Sequence, residues 1–432
     1  MPRRVKGAVV SPPSISRTLA LNYFALCDSA VLRPDERTGA LELGCSAAMD
    51  ERERAWRSEF PITDRFNYLN NCSLTPLHRR GRKAIERFAS EWTEQGGRAW
   101  YDHWIGEYEA LREDLAGVLG ASVNEIAIEP NVSAGLVGIA STFDYAKRSK
   151  VVVSDLDFPT DGHAFLAVAD RGARVEFVRS PDRVRVPLEL FERAVDDRTA
   201  AVCTGHVYFT TGWIQDIRAL AQICHRKGAV LVVDAYQSIG AIPFDVASSG
   251  VDYLVGGTLK WLMGGPGIAF LYARGSVAER ARPSAVGWWG VKEPFAFDVE
   301  HLDYGTGARR FEYGTPAVAA IYAARAGLEL LAEIGIEKVR ERHKLLSQRL
   351  VDGALDQGWT IRCPRDAEER TPIVTLEHLD PAAAVTALRA AGVICDNRPG
   401  LIRLSPHYFN TLEEMDRALA LLEPLRVAHA VA

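Results

Sequence analysis

The chain has 432 residues, 47% hydrophobic and 25% charged, with a formal net charge of −5, the mixture of a globular protein large enough for two or three domains. That balance, the scattered arginines and the lack of any apolar run near the roughly 20 residues needed to span a bilayer exclude a nucleic-acid surface and a membrane anchor. Seven cysteines, an odd count with no CxxC pair, exclude a disulfide framework or zinc site and read as reduced thiols of a cytoplasmic protein.

Residues 1–50 read as an N-terminal extension. Pro2 to Lys6 is basic and residues 19–32 are moderately apolar, but Asn22 and Asp28 interrupt the apolar stretch, which weighs against a secretory signal. The expectation is a mobile segment, or translation that starts at Met49. Residues 51–83 are expected to pack on the C-terminal domain, and 84–316 to form the large domain.

From about 125 to 272, short apolar runs alternate with amphipathic stretches. The runs 126–128, 151–154, 175–178, 200–204, 230–233, 253–255 and 268–271 are mostly Val- and Ile-rich, as strands buried on both faces should be. Between them, 134–147, 188–195 and 217–227 have helical spacing, and Gly228 caps the last. Alternation of this kind predicts an α/β domain with a mostly parallel seven-stranded sheet flanked by helices. About a dozen residues separate Val255 from Ile268, too few for a helical crossover, so the last strand is expected to be antiparallel. Residues 317–432 form a smaller α+β domain: helices at 317–334, 337–357, 381–391 and 412–422, strands at 373–376 and 401–404.

Two pieces carry the chemistry. Val232-Val233-Asp234-Ala235-Tyr236-Gln237 is a buried strand ending in an acid, and Gly256-Gly257-Thr258-Leu259-Lys260-Trp261 follows the next strand. In an open α/β sheet, ligands bind at the carboxyl ends of the strands, where both residues fall. An imine-forming lysine paired with an acid that protonates a pyridine nitrogen is what pyridoxal 5'-phosphate (PLP) chemistry needs. A strand-end cap for Asp234 and a solvated loop lysine for Lys260 are the plainer roles. Asn131-Val132-Ser133-Ala134-Gly135 opens a helix directly after a strand, where free amides and the Ser133 hydroxyl suit a phosphate, or where Ser133 simply caps.

These residues resemble fold-type I PLP enzymes of aminotransferase class V, a group with cysteine desulfurases, kynureninases and isopenicillin-N-epimerase-like proteins, over roughly residues 64–425. The resemblance implies Lys260 as the Schiff-base lysine, Asp234 as the acid at the pyridine nitrogen, and Gln237 as a desulfurase-type partner of the phenolic oxygen. Asp157-Phe158-Pro159-Thr160-Asp161 is similar to a kynureninase segment whose Phe stacks on the ring; here that is Phe158, with Asp161 as a further contact. Phe158 can stack but cannot exchange a proton. Ser133, Ala134 and Thr258 are its candidate phosphate contacts, and His206 a residue near the ring or a core histidine. Arg310-Phe311-Glu312-Tyr313-Gly314-Thr315-Pro316 resembles a segment whose threonine reaches the neighbouring subunit's phosphate, which implies a homodimer with shared active sites. Arg403 resembles the arginine that grips the substrate carboxylate, with Arg398 a second candidate. Gly287-Trp288-Trp289-Gly290 is similar to a kynureninase segment lining the substrate pocket, and Tyr313 is placed there too.

The desulfurases carry their persulfide cysteine on a loop between the positions of Arg398 and Arg403. Here Pro399 to Ile402 fill that gap without a cysteine. Gln237 and the Gly-Thr-Pro sequence depart from kynureninase. The resulting expectation is an enzyme that displaces Lys260 with the amine of an amino-acid substrate and then uses the freed lysine as acid and base. The favoured outcome is lyase chemistry at the β-carbon of an S-substituted cysteine or similar substrate. Transamination, epimerisation and decarboxylation are the alternatives; non-catalytic PLP binding is disfavoured by the joint presence of Asp234, Lys260 and Arg403. A Rossmann dehydrogenase would need GxGxxG after its first strand, which is lacking.

Overall fold

The structure, a computed structural model, describes residues 49–426. The extension expected over 1–50 therefore lies, but for its last two residues, outside the described part.

After helix Glu51–Ser58, a two-residue strand, Asn67–Tyr68 (β1), leads into helices Arg79–Gln95 and Ile105–Leu119. Seven strands then build one sheet: Ile126–Glu129 (β2), Lys150–Ser154 (β3), Arg174–Val178 (β4), Thr199–Gly205 (β5), Val230–Asp234 (β6), Tyr253–Gly257 (β7) and Ala269–Ala273 (β8). Their order is β2-β8-β7-β6-β5-β3-β4. Only β8 runs against the rest, paired antiparallel with both β2 and β7, as the short 255–268 connection requires. Every run expected as a strand in this region is one.

The physical reason shows in the cores. Val152, Val202, Val233 and Leu254 point into one apolar cluster, while Val151, Val153, Val232 and Val255 point into another across the sheet. Both faces are covered, so alternation of polarity along these strands disappears.

Helix ends differ more. The helix expected at 134–147 is Val132–Ala140. It stops because Ser141 and Thr142 turn their hydroxyls back onto the carbonyls of Gly138 (2.6 Å) and Ile139 (2.7 Å). Gly228, at φ +65, closes helix Ile217–Arg226 as expected.

The second sheet has strands Val374–Glu377 (β9), Asp396–Arg398 (β11) and Leu401–Leu404 (β12), ordered β11-β12-β9, with the short β10, Val393–Ile394, pairing parallel to β1. Helices Ile336–Asp356, Pro381–Ala390 and Leu412–Leu422 close over it in a third apolar cluster. The entry segment is tied to this unit by β1 and by the Arg57–Glu414 ion pair (2.7 Å). Helix Val318–Ile334 packs on Arg79–Gln95 and buries Ile321, Leu328 and Leu331 in the first apolar cluster. Among the described residues no helix is long and apolar enough to cross a membrane.

Candidate active site

Parallel strands deliver their carboxyl ends to one edge of the sheet, and the turns there enclose a cavity. Phe158, Asp161, Asp234, Tyr236, Gln237 and Lys260 all line it, together with Tyr208 and Phe209 from the turn after β5. Asp234 ends β6, and one of its oxygens accepts the Tyr236 amide (2.8 Å). Lys260 follows β7, and its Nζ sits 4.0 Å from the centroid of the Tyr236 ring. Tyr236 can lie there because residue 257 is glycine: a Cβ would meet the ring at 2.5 Å. Burial pushes the Lys260 amine down to about 8, against the opposing pull of the Asp234 carboxylate.

Asp161 is fully buried, and neither of its oxygens has a hydrogen-bond partner among the described residues. Burial, and then the charges of Asp234 and Asp157, hold it well above the usual carboxylate range. Asp157 differs: it accepts from the amides of Ser154 and Gly205 (both 2.7 Å) and from the Thr204 hydroxyl (2.9 Å). It is the latch that fixes the turn after β3 against β5. Phe158, 46% exposed, stands at the mouth with its ring edge-on to Phe209.

Beside the cavity two helix N-termini meet. The Ser133 hydroxyl, at the start of Val132–Ala140, is 2.8 Å from that of Thr160, at the start of Pro159–Leu166. The helix cap is Asn131, not Ser133: Asn131 Oδ1 accepts the Ala134 amide (2.9 Å). The Ala134 amide is thus engaged, while the first two amides of the helix have no intrahelical partner. Thr160 lay within a quoted motif, but only the meeting of two helices makes it a neighbour of Ser133.

Six expected residues, His206, Thr258, Trp288, Trp289, Thr315 and Tyr313, do not line this cavity. His206 donates its main-chain amide to the Asp234 carbonyl, but its ring packs on Phe244 (4.6 Å), and burial lowers it to about 3. It is a core histidine. Thr258 is buried under the lysine loop and its hydroxyl serves the carbonyls of Gly265 (3.2 Å) and Ile268 (3.3 Å). It shapes the loop and does not face a phosphate. Trp288 and Trp289 join Trp100, Tyr101, Phe295 and the exposed Thr315 around a separate aromatic pocket. Gly287 permits that placement, since a Cβ there would lie 2.0 Å from the Tyr313 carbonyl carbon. Tyr313 itself reaches back, donating its hydroxyl to the Ala134 carbonyl (3.1 Å) at the start of the Val132 helix.

Arg403 is 1% exposed on β12, and its fork is occupied from within the chain. Nε and Nη2 meet the two oxygens of Asp396 (2.9 and 2.8 Å), and Nη1 donates to the Phe209 carbonyl (2.7 Å). Asp396 is its cross-strand partner on β11 and also pairs with Arg398 (3.1 Å). With three of five donors engaged, one N–H remains on each Nη. Those two donors, one on each Nη, are the ones a bidentate carboxylate grip by Arg403 would use.

The residues present fit PLP. Two buried carboxyl groups, Asp234 and Asp161, share this cavity, and a cation such as a protonated ring nitrogen would offset the cost of ionising Asp234 there. Two hydroxyls at paired helix ends suit a phosphate. A buried amine with a depressed pKa suits a carbonyl carbon.

The family model Aminotransferase class-V matches residues 68–417. The chain is 37% identical over 373 residues to the uncharacterized aminotransferase YcbU of Bacillus subtilis (strain 168), covering 86% of this chain and 97% of that protein. It is 30% identical over 383 residues to the kynureninase of Geobacillus thermodenitrificans (strain NG80-2), covering 85% and 89%. Among solved structures, the apo cysteine desulfurase of Thermococcus onnurineus NA1 superposes with a TM-score of 0.79 at 22% identity, covering 88% of this chain and 99% of that one. The cystine C–S lyase C-DES, solved with its product cysteine persulfide, gives 0.79 at 23%, covering 85% and 100%. These structures share the fold.

Proposed function

The chain belongs to the aminotransferase class-V family of PLP-dependent enzymes, and on that premise we propose that it cleaves a bond at the β-carbon of an amino acid, a cysteine conjugate or one of similar size, without a protein persulfide. The observation that carries the site is the buried Lys260 amine sharing one cavity with Asp234 and Asp161.

When bound, PLP supplies an electron sink for negative charge at the substrate α-carbon. The chain's own residues would do the rest. Lys260 would hold the cofactor covalently and, once freed, move the α-proton; an amine near 8 exchanges protons readily at neutral pH. Asp234, with Asp161 behind it, would keep the ring nitrogen protonated. Phe158 would cover one face of the ring and, carrying no exchangeable proton, leave proton transfer to Lys260. Ser133 and Thr160 would hold the phosphate, and the two remaining Arg403 donors the substrate carboxylate. Thr315, exposed and not among the residues lining its own chain's cavity, suits a role across a homodimer interface, where it would reach the partner's phosphate.

The hairpin of β11 and β12 supports the exclusion of a persulfide route. Arg398 pairs directly with Leu401 across Pro399 and Gly400, so no long loop projects there. The described cysteines, Cys72, Cys203, Cys224, Cys363 and Cys395, are all buried. The kynureninases among the relatives favour β-carbon cleavage; the 37% identity to YcbU, an aminotransferase by name, favours transamination as the second reading. Incubation with cysteine conjugates and aryl amino acids, reading pyruvate, ammonia, CO₂ and isomer ratio, separates them. Pyruvate and ammonia in equal amounts support the lyase; a keto acid formed only with an amine acceptor overturns it.

A further inference from the structure

We propose that Trp261 is a positioning residue that fixes the amide of Gln237 so that its N–H, not its carbonyl, faces the cofactor; this rests on Gln237 being the partner of the phenolic oxygen.

Trp261 follows Lys260 directly and is fully buried. Its ring packs against the rings of His343 (centroids 5.3 Å apart) and His407 (5.5 Å), which also touch each other (4.9 Å). Its indole Nε1 donates to Gln237 Oε1 at 2.9 Å, and Gln237 Nε2 donates to the Cys72 carbonyl at 2.9 Å. An indole nitrogen can only donate and a main-chain carbonyl can only accept. The reversed amide would set N–H against N–H and oxygen against oxygen, both buried. One orientation is therefore imposed, and the second hydrogen of Nε2 is left for the cavity that Gln237 lines with Lys260. The two loops are locked together at Gly240, three residues past Gln237: at φ +87, a Cβ there would lie 2.6 Å from the Trp261 carbonyl oxygen. One backbone turn thus places the amine through residue 260 and the amide orientation through residue 261.

A donor at the phenolic oxygen stabilises its negative charge and weakens proton binding there. The test is the pH midpoint at which the visible band of the loaded protein changes. Trp261→Phe should raise it by about half a unit, a threefold change in proton affinity. Gln237→Leu should raise it at least as far, and Trp261→Phe should add nothing in the Gln237→Leu background. An unchanged midpoint in Trp261→Phe, or a full additional shift in the double variant, overturns the proposal. Should Trp261→Phe not fold, indole ¹⁵N–H spectra of ¹⁵N-tryptophan-labelled holoenzyme decide. One indole resonance is expected to move in Gln237→Leu, and a spectrum unaltered in its indole region overturns the proposal. If wild-type protein develops no visible band with PLP, the functional reading fails instead, whatever Trp261 does.

Discussion

In the cavity at the strand ends, Asp161, on the helix after β3, has no hydrogen-bond partner for either oxygen among the described residues, whereas on β12 the Arg403 guanidinium meets a carboxylate edge-on and a carbonyl as well. Both places bury an ionisable group, whose charged form is costly unless compensated. The first leaves its compensation to something outside the chain; the second supplies its own. A group left uncompensated marks where a ligand contributes to the structure as well as to the reaction. A compensated one, such as Arg403, can assist a ligand only with what its internal partners leave over.

The largest expected effects fall on the uncompensated side. Lys260→Ala should abolish the borohydride-reducible link and cut turnover by at least about a thousandfold, roughly 4 kcal/mol of barrier. Peptide mass mapping checks it: wild-type protein should carry the reduced cofactor on Lys260, and a reducible link surviving in the variant would contradict the assignment. Asp234→Asn should cost on the order of a hundredfold in kcat/KM, about 2.7 kcal/mol, by removing the charge that keeps the ring nitrogen protonated. A loss below threefold would hand that role to Asp161.

What was legible in the sequence follows the same division. The seven strands could be read because burial on both faces makes each a short apolar run, and Lys260 and Asp234 because strand ends place them without help from elsewhere. The direction of the His206 ring was not legible: the residue follows a strand as expected, but Phe244, well beyond it in sequence, decides which way the ring turns. Nor was the capture of Arg403. Asp396 becomes its partner only once the chain turns tightly at Pro399 and Gly400, with Gly400 at φ +74. Trp261 shares this character, since its role needs Gln237, Cys72 and two histidines brought from four other segments.

Arg403 lets the comparison be sharpened, because it should register in stability as well as in binding. Arg403→Ala leaves Asp396 half-buried with only Arg398, and should cost about 3 kcal/mol in a urea titration, as for other broken buried pairs. It should also raise KM for amino acids well above its effect on simple amines. Arg403→Lys keeps the charge but not the fork, so it should recover less than half of the stability. Equal KM effects on acids and amines would leave Arg403 as a purely internal partner of Asp396.

The smallest effect is also the most direct measure of the uncompensated site. In cofactor-free protein the Lys260 amine sits near 8 against an ordinary value of 10.5, with burial as the main cause. The unfolded chain therefore binds a proton there that the folded chain releases, and between pH about 8 and about 10.5 folding stability should rise with pH through this group. Its size is at most about 3 kcal/mol, and less to the extent that water reaches the amine. Other groups titrate in the same window, so the measurement is a difference: thermal midpoints of wild-type apoprotein minus those of Lys260→Met across that range. The wild type should gain relative to the variant as the pH climbs, because the variant has no charge to lose. A difference that stays flat would mean the lysine is solvated in the free chain, and that its charge is as well accommodated as that of Arg403.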